Sequence, residues 1–467
     1  MKDIYIALND NSKLFLFQRI GSIVTNKKSI KIKKDIARVL CFCLKGYSLS
    51  IAIEKAIEED TNNAMFSEKE RDNKKKEDLL GILALLIEGN LVYRSKPENQ
   101  ENLIVDEQRI YYPQSIHIEL TKVCNLKCYY CYRDSGPNNS CDFIDTEKLK
   151  YTITELSKAG LSVVEITGGE PLLHPDFFEI LSFCIKEIPL VSILTNGTLI
   201  TDTFIREILP YKEKVIFSIS LDSYLEAEHE RKSGIKGSFN KTISAIKSLS
   251  HLGFIVRASM AVDEGNWNQI EKTLLFSKSI GASMFTYSPI VPVGRAKNIK
   301  IFDSRVPKDE IINTEKKILN EYSDFLHILD EDAKENLSRP GGCGAGSRTY
   351  VLSPSGEIRM CPTYDNKGIL GNVFENSIKS VFENVLCNIN ASLVLPNIEY
   401  CGGCQYSSLC CGCSLRTLLN IQKVGRENCT WLNSNEIAQM WYNCIEEKSI
   451  PNCNIPIEEG PRKVATT

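Results

Sequence analysis

Eighteen cysteines in a 467-residue chain limit what it can fold into more than any other feature. In a small secreted protein they would suggest a disulfide framework. This chain is long, and its first residues, MKDIYIALND, lack the apolar, small-residue-ended stretch of an export signal. No apolar run approaches the ~20 residues needed to cross a bilayer. The expectation is therefore a cytoplasmic protein whose closely spaced cysteines bind metal. Hydrophobic residues make up 43% and charged residues 25%, ordinary values for a globular protein. At about 150 residues per domain the length suggests three units. A net charge of −3 does not point to nucleic acid as a partner.

Three regions differ in pattern. Residues 1–95 read as a small unit. They contain an alternating strand and hairpin over Lys13–Ile20 and helices from Asp35, from near Ser48 and from Asp78, closed by a strand at Leu91–Tyr93. This order suggests a winged helix. Residues 1–50 carry ten Lys/Arg against three Asp/Glu, a local balance of +7. The mixed-charge stretch 68–78 reads as a loop and 96–114 as a linker. Residues 115–335 alternate strands and amphipathic helices, with strands at Ser115–Thr121, Ser162–Ile166, Val191–Thr195, Val215–Leu221, Phe254–Val262 and Met284–Ile290. Six β/α repeats predict an α/β fold, a parallel sheet closed partly or wholly into a barrel. Chemistry in such barrels sits on loops at the carboxyl ends of the strands. Residues 336–445 are Gly- and Cys-rich, and metal ligation is expected to replace part of a hydrophobic core there. Residues 446–467 read as a tail.

Directly after the first barrel strand comes Cys124-x3-Cys128-x2-Cys131. Three thiolates on one loop can hold three irons of a [4Fe–4S] cube and leave the fourth iron open to an outside ligand. Zinc is the alternative, but no conventional fourth ligand lies nearby. With Tyr130, Gly168-Gly169-Glu170-Pro171, Thr195-Asn196-Gly197 and Ser218-Ile-Ser-Leu-Asp222, this run resembles the radical S-adenosylmethionine (SAM) superfamily. The resemblance implies that SAM chelates the open iron through its amino and carboxylate groups. One-electron reduction would then cleave a C–S bond, and the resulting 5′-deoxyadenosyl radical would take a hydrogen atom from the substrate. It also implies that Cys124, Cys128 and Cys131 hold the catalytic cluster and that the backbone at Gly168, Gly169 and Glu170 receives the SAM amino group. Asn196, Ser220 and Arg231 would contact ribose and carboxylate, and Tyr130 would pack near the adenine.

Further on, Cys343-x12-Gly356-x4-Cys361 precedes Cys401-x2-Cys404-x5-Cys410-x2-Cys413 and Cys429. This resembles the SPASM extension, which carries two auxiliary Fe–S clusters. The last gap has two residues where that pattern usually has three, which leaves Cys411 as a possible substitute ligand. By resemblance, Cys401, Cys404, Cys410 and Cys429 fully ligate one auxiliary cluster. Cys343, Cys361 and Cys413 hold the other, with an open position unless Cys387 or another thiol closes it. Zinc or purely structural clusters remain the alternative.

The N-terminal unit resembles the PqqD-like element that binds leader peptides by β-augmentation. Stretches such as Glu165–Glu170, Leu194–Leu199, Ile219–Ser223, Lys236–Phe239 and Cys343–Gly346 resemble the sactipeptide synthases. The implied activity is maturation of a ribosomally made precursor peptide, recognised through its leader, by cysteine sulfur to α-carbon thioether links. Each link removes two hydrogens and returns an electron to a cluster. An external donor such as flavodoxin or ferredoxin supplies reducing electrons. Another crosslink or an epimerisation is the alternative within the superfamily. From a different class, a DNA-binding Fe–S redox sensor is disfavoured by the apolar, acidic third helix. No nucleic acid or membrane partner is expected.

Overall fold

In the computed structural model the chain divides into two compact units, one within residues 1–109 and one spanning Ile110–Ile450. The structure describes residues 5–8, 13–16, 21–24, 29–32, 34–61, 75, 79–82, 85, 91–94 and 103–105 of the first unit. In the second it describes 111–137, 142–298, 308–326, 343–364, 368–402, 404, 410 and 413–447.

In the first unit, strands β1 (Tyr5–Leu8) and β5 (Leu91–Arg94) pair antiparallel. A second sheet has the order β4-β3-β2-β6, built from β2 (Lys13–Leu16), β3 (Gly21–Val24), β4 (Ser29–Ile32) and β6 (Leu103–Val105). Helices Lys34–Leu44 and Leu49–Thr61 arise where the apolar spacing predicts them. They share one core in which Ala37, Val39, Leu40 and Ala52 are fully enclosed with Ile6 and Leu8. Two readings change. The stretch 96–114, read as a linker, contains β6, which pairs parallel with β2. Lys75, inside the stretch read as a loop, is helical. β6 has three residues within an otherwise polar stretch, too short an alternation to be read from sequence.

The second unit is organised by one nine-stranded sheet of order β12-β11-β10-β9-β8-β7-β13-β14-β15. Its first six members are β7 (Ser115–Glu119), β8 (Val163–Thr167), β9 (Leu190–Thr195), β10 (Val215–Ser220), β11 (Ile255–Val262) and β12 (Met284–Pro289). All are parallel to their neighbours, as the repeat pattern predicts. Each strand lies next to the one before it in the chain, the arrangement that consecutive β/α units favour.

Alternation along each strand separates two environments. Ile116, Ile118, Val164, Ile166, Val191, Ile193, Phe217 and Ile219 are buried. Helices Thr146–Lys158 and Phe177–Glu187 contribute Leu149, Ile153, Leu156, Ile180 and Leu181 to the same core. The intervening positions are polar. His117 pairs with Glu165 at 2.8 Å, and Arg257 Nε donates to Ser218 Oγ, which lies 2.9 Å from Ser259 Oγ.

The sequence pattern missed β13 (Thr349–Leu352), which pairs parallel with β7 on its other side. β14 (Glu357–Arg359) and β15 (Ile369–Asn372) follow antiparallel. The Cys-rich region also has its own apolar core. Trp431 and Trp441 are fully buried and meet at 5.9 Å, and Trp431 Nε1 donates to the Val394 carbonyl.

Phe217 is the central aromatic of the barrel's helix-facing layer, fully buried and edge-on to Phe254 at 5.5 Å. Phe217→Ala is expected to cost about 3–5 kcal/mol. The check is a lower guanidinium midpoint for the barrel transition at unchanged slope.

Candidate active site

The three cysteines lie on the loop leaving β7, and backbone contacts from four directions fix that loop. Bridges pair Thr121 with Phe143 and Val123 with Gly136. The turn after β8 donates Gly169 N–H to the Thr121 carbonyl (2.6 Å) and Glu170 N–H to that of Val123 (2.8 Å). The carbonyl end of helix Glu226–Ser233 accepts from Lys127 and Tyr129. On the far side, Arg295 spreads its guanidinium over the loop, donating to the carbonyls of Cys128 (2.9 Å) and Ser135 (2.5 Å) and to Asp134 (2.8 Å).

Gly168 and Gly169 gain a specific reason from this packing. A Cβ on Gly168 (φ +136°) would stand 2.5 Å from the Thr121 carbonyl oxygen, and one on Gly169 would overlap that of Val123. The close approach they permit is to the cysteine loop.

Backbone N–H groups point at two sulfurs, from Leu126 to Cys124 (3.4 Å) and from Ser135 to Cys131 (3.3 Å). Burial, with Glu170 and Cys131 nearby, pushes the Cys124 thiol up to about 12. Binding iron there must displace the proton. N–H donors aimed at sulfur suit thiolates holding a cluster.

Glu170 is fully buried and accepts from Thr195 Oγ1 (2.7 Å), Asn196 N (2.9 Å) and Leu172 N (3.2 Å). Burial raises its carboxyl to about 7. Its side chain is a strut between the ends of β8 and β9. Asn196 donates to Asn125 Oδ1 on the cysteine loop (2.9 Å) and accepts from Thr198. Ser220, the last residue of β10, is half-buried.

The predicted Arg231 is half-exposed, and its fork is held by both Glu228 oxygens at 2.6 and 2.9 Å, with the charge over Tyr129. The buried cation is its neighbour. Lys232 is fully enclosed, pairs with Asp263 at 3.2 Å and lies over the rings of Tyr129 and Tyr130. Tyr129 donates to Asp263, and Tyr130 donates to Asp222 Oδ2 at 2.5 Å. Asp222 also accepts from Ala261 N. Lys232, Asp263 and Arg295 were missed from sequence because nothing in their local spacing tells a buried Lys or a clamping Arg from a surface one. Gly294-Arg295 carried the one available signal, a glycine five residues past β12.

The later cysteines fall into two sets. Burial first, then Cys343 and Cys413, push Cys361 up to about 11. Burial and then Cys404, Cys410 and Cys429 do the same to Cys401. Cys343 is exposed, and Cys361 and Cys413 are half-buried. Asn420 donates to Cys410 Sγ at 3.0 Å, and Thr363 Oγ1 lies 3.2 Å from Cys361 Sγ. Cys387 is fully buried with its thiol against Tyr350, whose ring, like the thiol, belongs to the core. Cys411 lies outside the described residues. Among the described residues no group of three His, Cys, Asp or Glu is placed to hold a single metal ion.

Gly169→Ala is expected to displace the loop and remove about four irons per chain while the later sets stay loaded. Iron and sulfide assay of the anaerobically reconstituted variant checks this.

Comparison with known proteins agrees with this geometry. The family model "Radical SAM superfamily" matches residues 118–277. The chain is 34% identical over 337 residues to the antilisterial bacteriocin subtilosin biosynthesis protein AlbA of Bacillus subtilis, covering 70% of this chain and 74% of that protein. An AdoMet-dependent heme synthase of Methanosarcina barkeri is 26% identical over 327 residues, covering 65% of this chain and 92% of the other. Among solved structures, Streptococcus suis SuiB bound to S-adenosylmethionine shares the fold with TM-score 0.59 at 16% identity, over 89% of this chain and 96% of that one. SuiB bound to its precursor peptide SuiA aligns with TM-score 0.58. The chain belongs to the radical SAM superfamily, with a [4Fe–4S] cluster and S-adenosylmethionine as its cofactors.

Proposed function

We propose that this enzyme matures a ribosomally made precursor peptide by joining cysteine sulfur to α-carbons. What supports the reading is the spacing of seven later cysteines, which suits a set of four and a set of three, with Cys361 close enough to Cys343 and Cys413, and Cys401 to Cys404, Cys410 and Cys429, to feel their charge. Four thiolates complete a cluster, whereas three leave one iron for an outside ligand, and soft iron favours a thiolate. Cys401, Cys404, Cys410 and Cys429 would hold the complete cluster. Cys343, Cys361 and Cys413 would hold the open one. The similarity to a bacteriocin biosynthesis protein over most of both chains supports a peptide substrate over a porphyrin one.

When bound, the cluster at Cys124, Cys128 and Cys131 and its SAM supply a one-electron source and a carbon radical able to remove a hydrogen atom. The protein's part is placement. The backbone at Gly168–Glu170 offers carbonyls to the SAM amino group. Asn196, already ordered by Asn125 and Thr198, and Ser220 present polar groups at the adjoining strand ends. Tyr130, with its hydroxyl on Asp222, offers a fixed ring face for the adenine. Arg231 could take the SAM carboxylate by exchanging it for Glu228, a paired guanidinium–carboxylate contact of the same kind. Holding reacting atoms in register supplies most of what such a step needs.

The N-terminal unit would read the leader as a PqqD-like element. Its four-stranded sheet ends at β4 and β6. In sequence β4 is flanked by Lys27-Lys28 and Lys33-Lys34, which suits an acidic leader strand added to that edge. A flavodoxin- or ferredoxin-type protein would supply electrons.

Two measurements test this. The reconstituted enzyme is incubated anaerobically with SAM, reductant and a cysteine-containing precursor, then tandem mass spectrometry is run. Loss of two hydrogens per modified cysteine, with those thiols no longer alkylatable, is expected. Unchanged peptide mass with deoxyadenosine released points to epimerisation instead. In Cys413→Ala, SAM cleavage is expected to persist while crosslinking falls at least about 10-fold. Normal crosslinking in that variant ends the substrate-ligation role.

A further inference from the structure

One buried charge cluster has no part in the site as described above, and it touches two cysteine loops. Glu119, the last residue of β7, is 1% exposed. Its Oε2 accepts from Arg133 Nε at 3.1 Å and from Arg359 Nη2 at 2.5 Å. Arg133 follows Cys131 by two residues, on the loop of the SAM cluster. Arg359 closes β14 and comes two residues before Cys361. Its Nη1 donates to the carbonyls of Tyr364 (2.9 Å) and Pro362 (3.3 Å), so it grips the turn that carries Cys361.

Local structure aims Arg359 inward. The register between β14 and β15 shifts at Ile358/Arg359, an irregularity of the kind that redirects a side chain across a sheet. Glu119 Oε1 and Arg359 Nε are buried without hydrogen-bond partners among the described residues. A carboxylate shared on a single oxygen by two guanidinium groups, with other polar atoms left unpaired, is a costly arrangement. β13 explains how the parts meet. It pairs parallel with β7 and leads into β14, so the strand that delivers Cys124 to Cys131 lies beside the hairpin that delivers Cys361.

We infer that Glu119 is a positioning residue that fixes the loop of Cys131 relative to the loop of Cys361, and so sets the separation of the two metal sites between which an electron must pass. The inference rests on the auxiliary-site assignment proposed above, but its first readout does not. In the cluster-loaded full chain, Glu119→Gln keeps the shape and removes the charge that both arginines share.

Hydrogen exchange followed by mass spectrometry should show amides in both 124–136 and 359–364 exchanging at least about 5-fold faster. Exchange in β9 and β10 should be unchanged. Faster exchange in only one loop, or in neither, overturns the inference. Should Glu119→Gln fail to fold, Arg359→Lys keeps the charge and loses the fork. A rise in both loops then supports the inference, and a rise confined to 359–364 overturns it. Function gives the second readout: crosslinks formed per deoxyadenosine released should fall at least about 10-fold in Glu119→Gln, and an unchanged ratio overturns the inference. A wild-type enzyme that makes no crosslink would refute the proposed function while leaving the exchange result to judge Glu119.

Discussion

Four buried carboxylates tie together the carboxyl ends of the parallel strands, and three of them hold the cysteine loop directly. Glu119 ends β7, Glu170 lies three residues past β8, Asp222 two past β10 and Asp263 one past β11, and all are buried. A carboxylate out of water must find donors. Each finds them on a neighbouring segment: Arg133 and Arg359, Thr195 and Asn196, Tyr130 and Ala261, Lys232 and Tyr129. The cost of burial is thereby turned into connections between strand ends. The cysteine loop enters this ring at Tyr129, Tyr130 and Arg133, the residues on either side of Cys131.

This ring also governs charge. A thiolate cluster brings negative charge into a region already crowded with acids. Lys232, stacked over two tyrosine rings and paired with Asp263, keeps a fixed positive charge beside the loop without reaching solvent. Arg295 adds a second from the opposite side while spending its donors on loop carbonyls and Asp134. A planar guanidinium with five donors can do both at once, which a lysine cannot.

The parallel sheet was legible because each strand is a short apolar run followed by an amphipathic helix, and the six strands stand within a few residues of their predicted places. The cysteines and the Gly168–Glu170 turn were legible from spacing. What escaped depends on tertiary contact. Arg231 and Lys232 are adjacent, and only the packing of helix Glu226–Ser233 against the loop sends one to solvent and the other inside. β13 has four residues and no repeat to mark it, yet it carries the sheet beyond β7. Gly168 and Gly169 stand against the backbone of the cysteine loop, a neighbour that spacing alone does not reveal. A resemblance names the ligand a motif serves and says nothing of the neighbour that requires it.

The metal sites differ in how much folding they demand. Cys124, Cys128 and Cys131, the proposed ligands of the reactive cluster, lie within eight residues on a loop already fixed from four sides. Cys343, Cys361 and Cys413 come from three places: before β13, after β14 and at the start of helix Ser414–Val424. They can meet only after the β13–β15 extension has formed beside β7 and that helix has packed. Tyr364, buried and hydrogen-bonded to Ser414 at 3.2 Å, ties two of those places together independently of any metal. Because that extension is anchored on the strand leading to Cys124, the proposed three-cysteine set would form only in register with the cysteine loop after β7. Such a register is what the proposed action of two metal sites on one substrate would require.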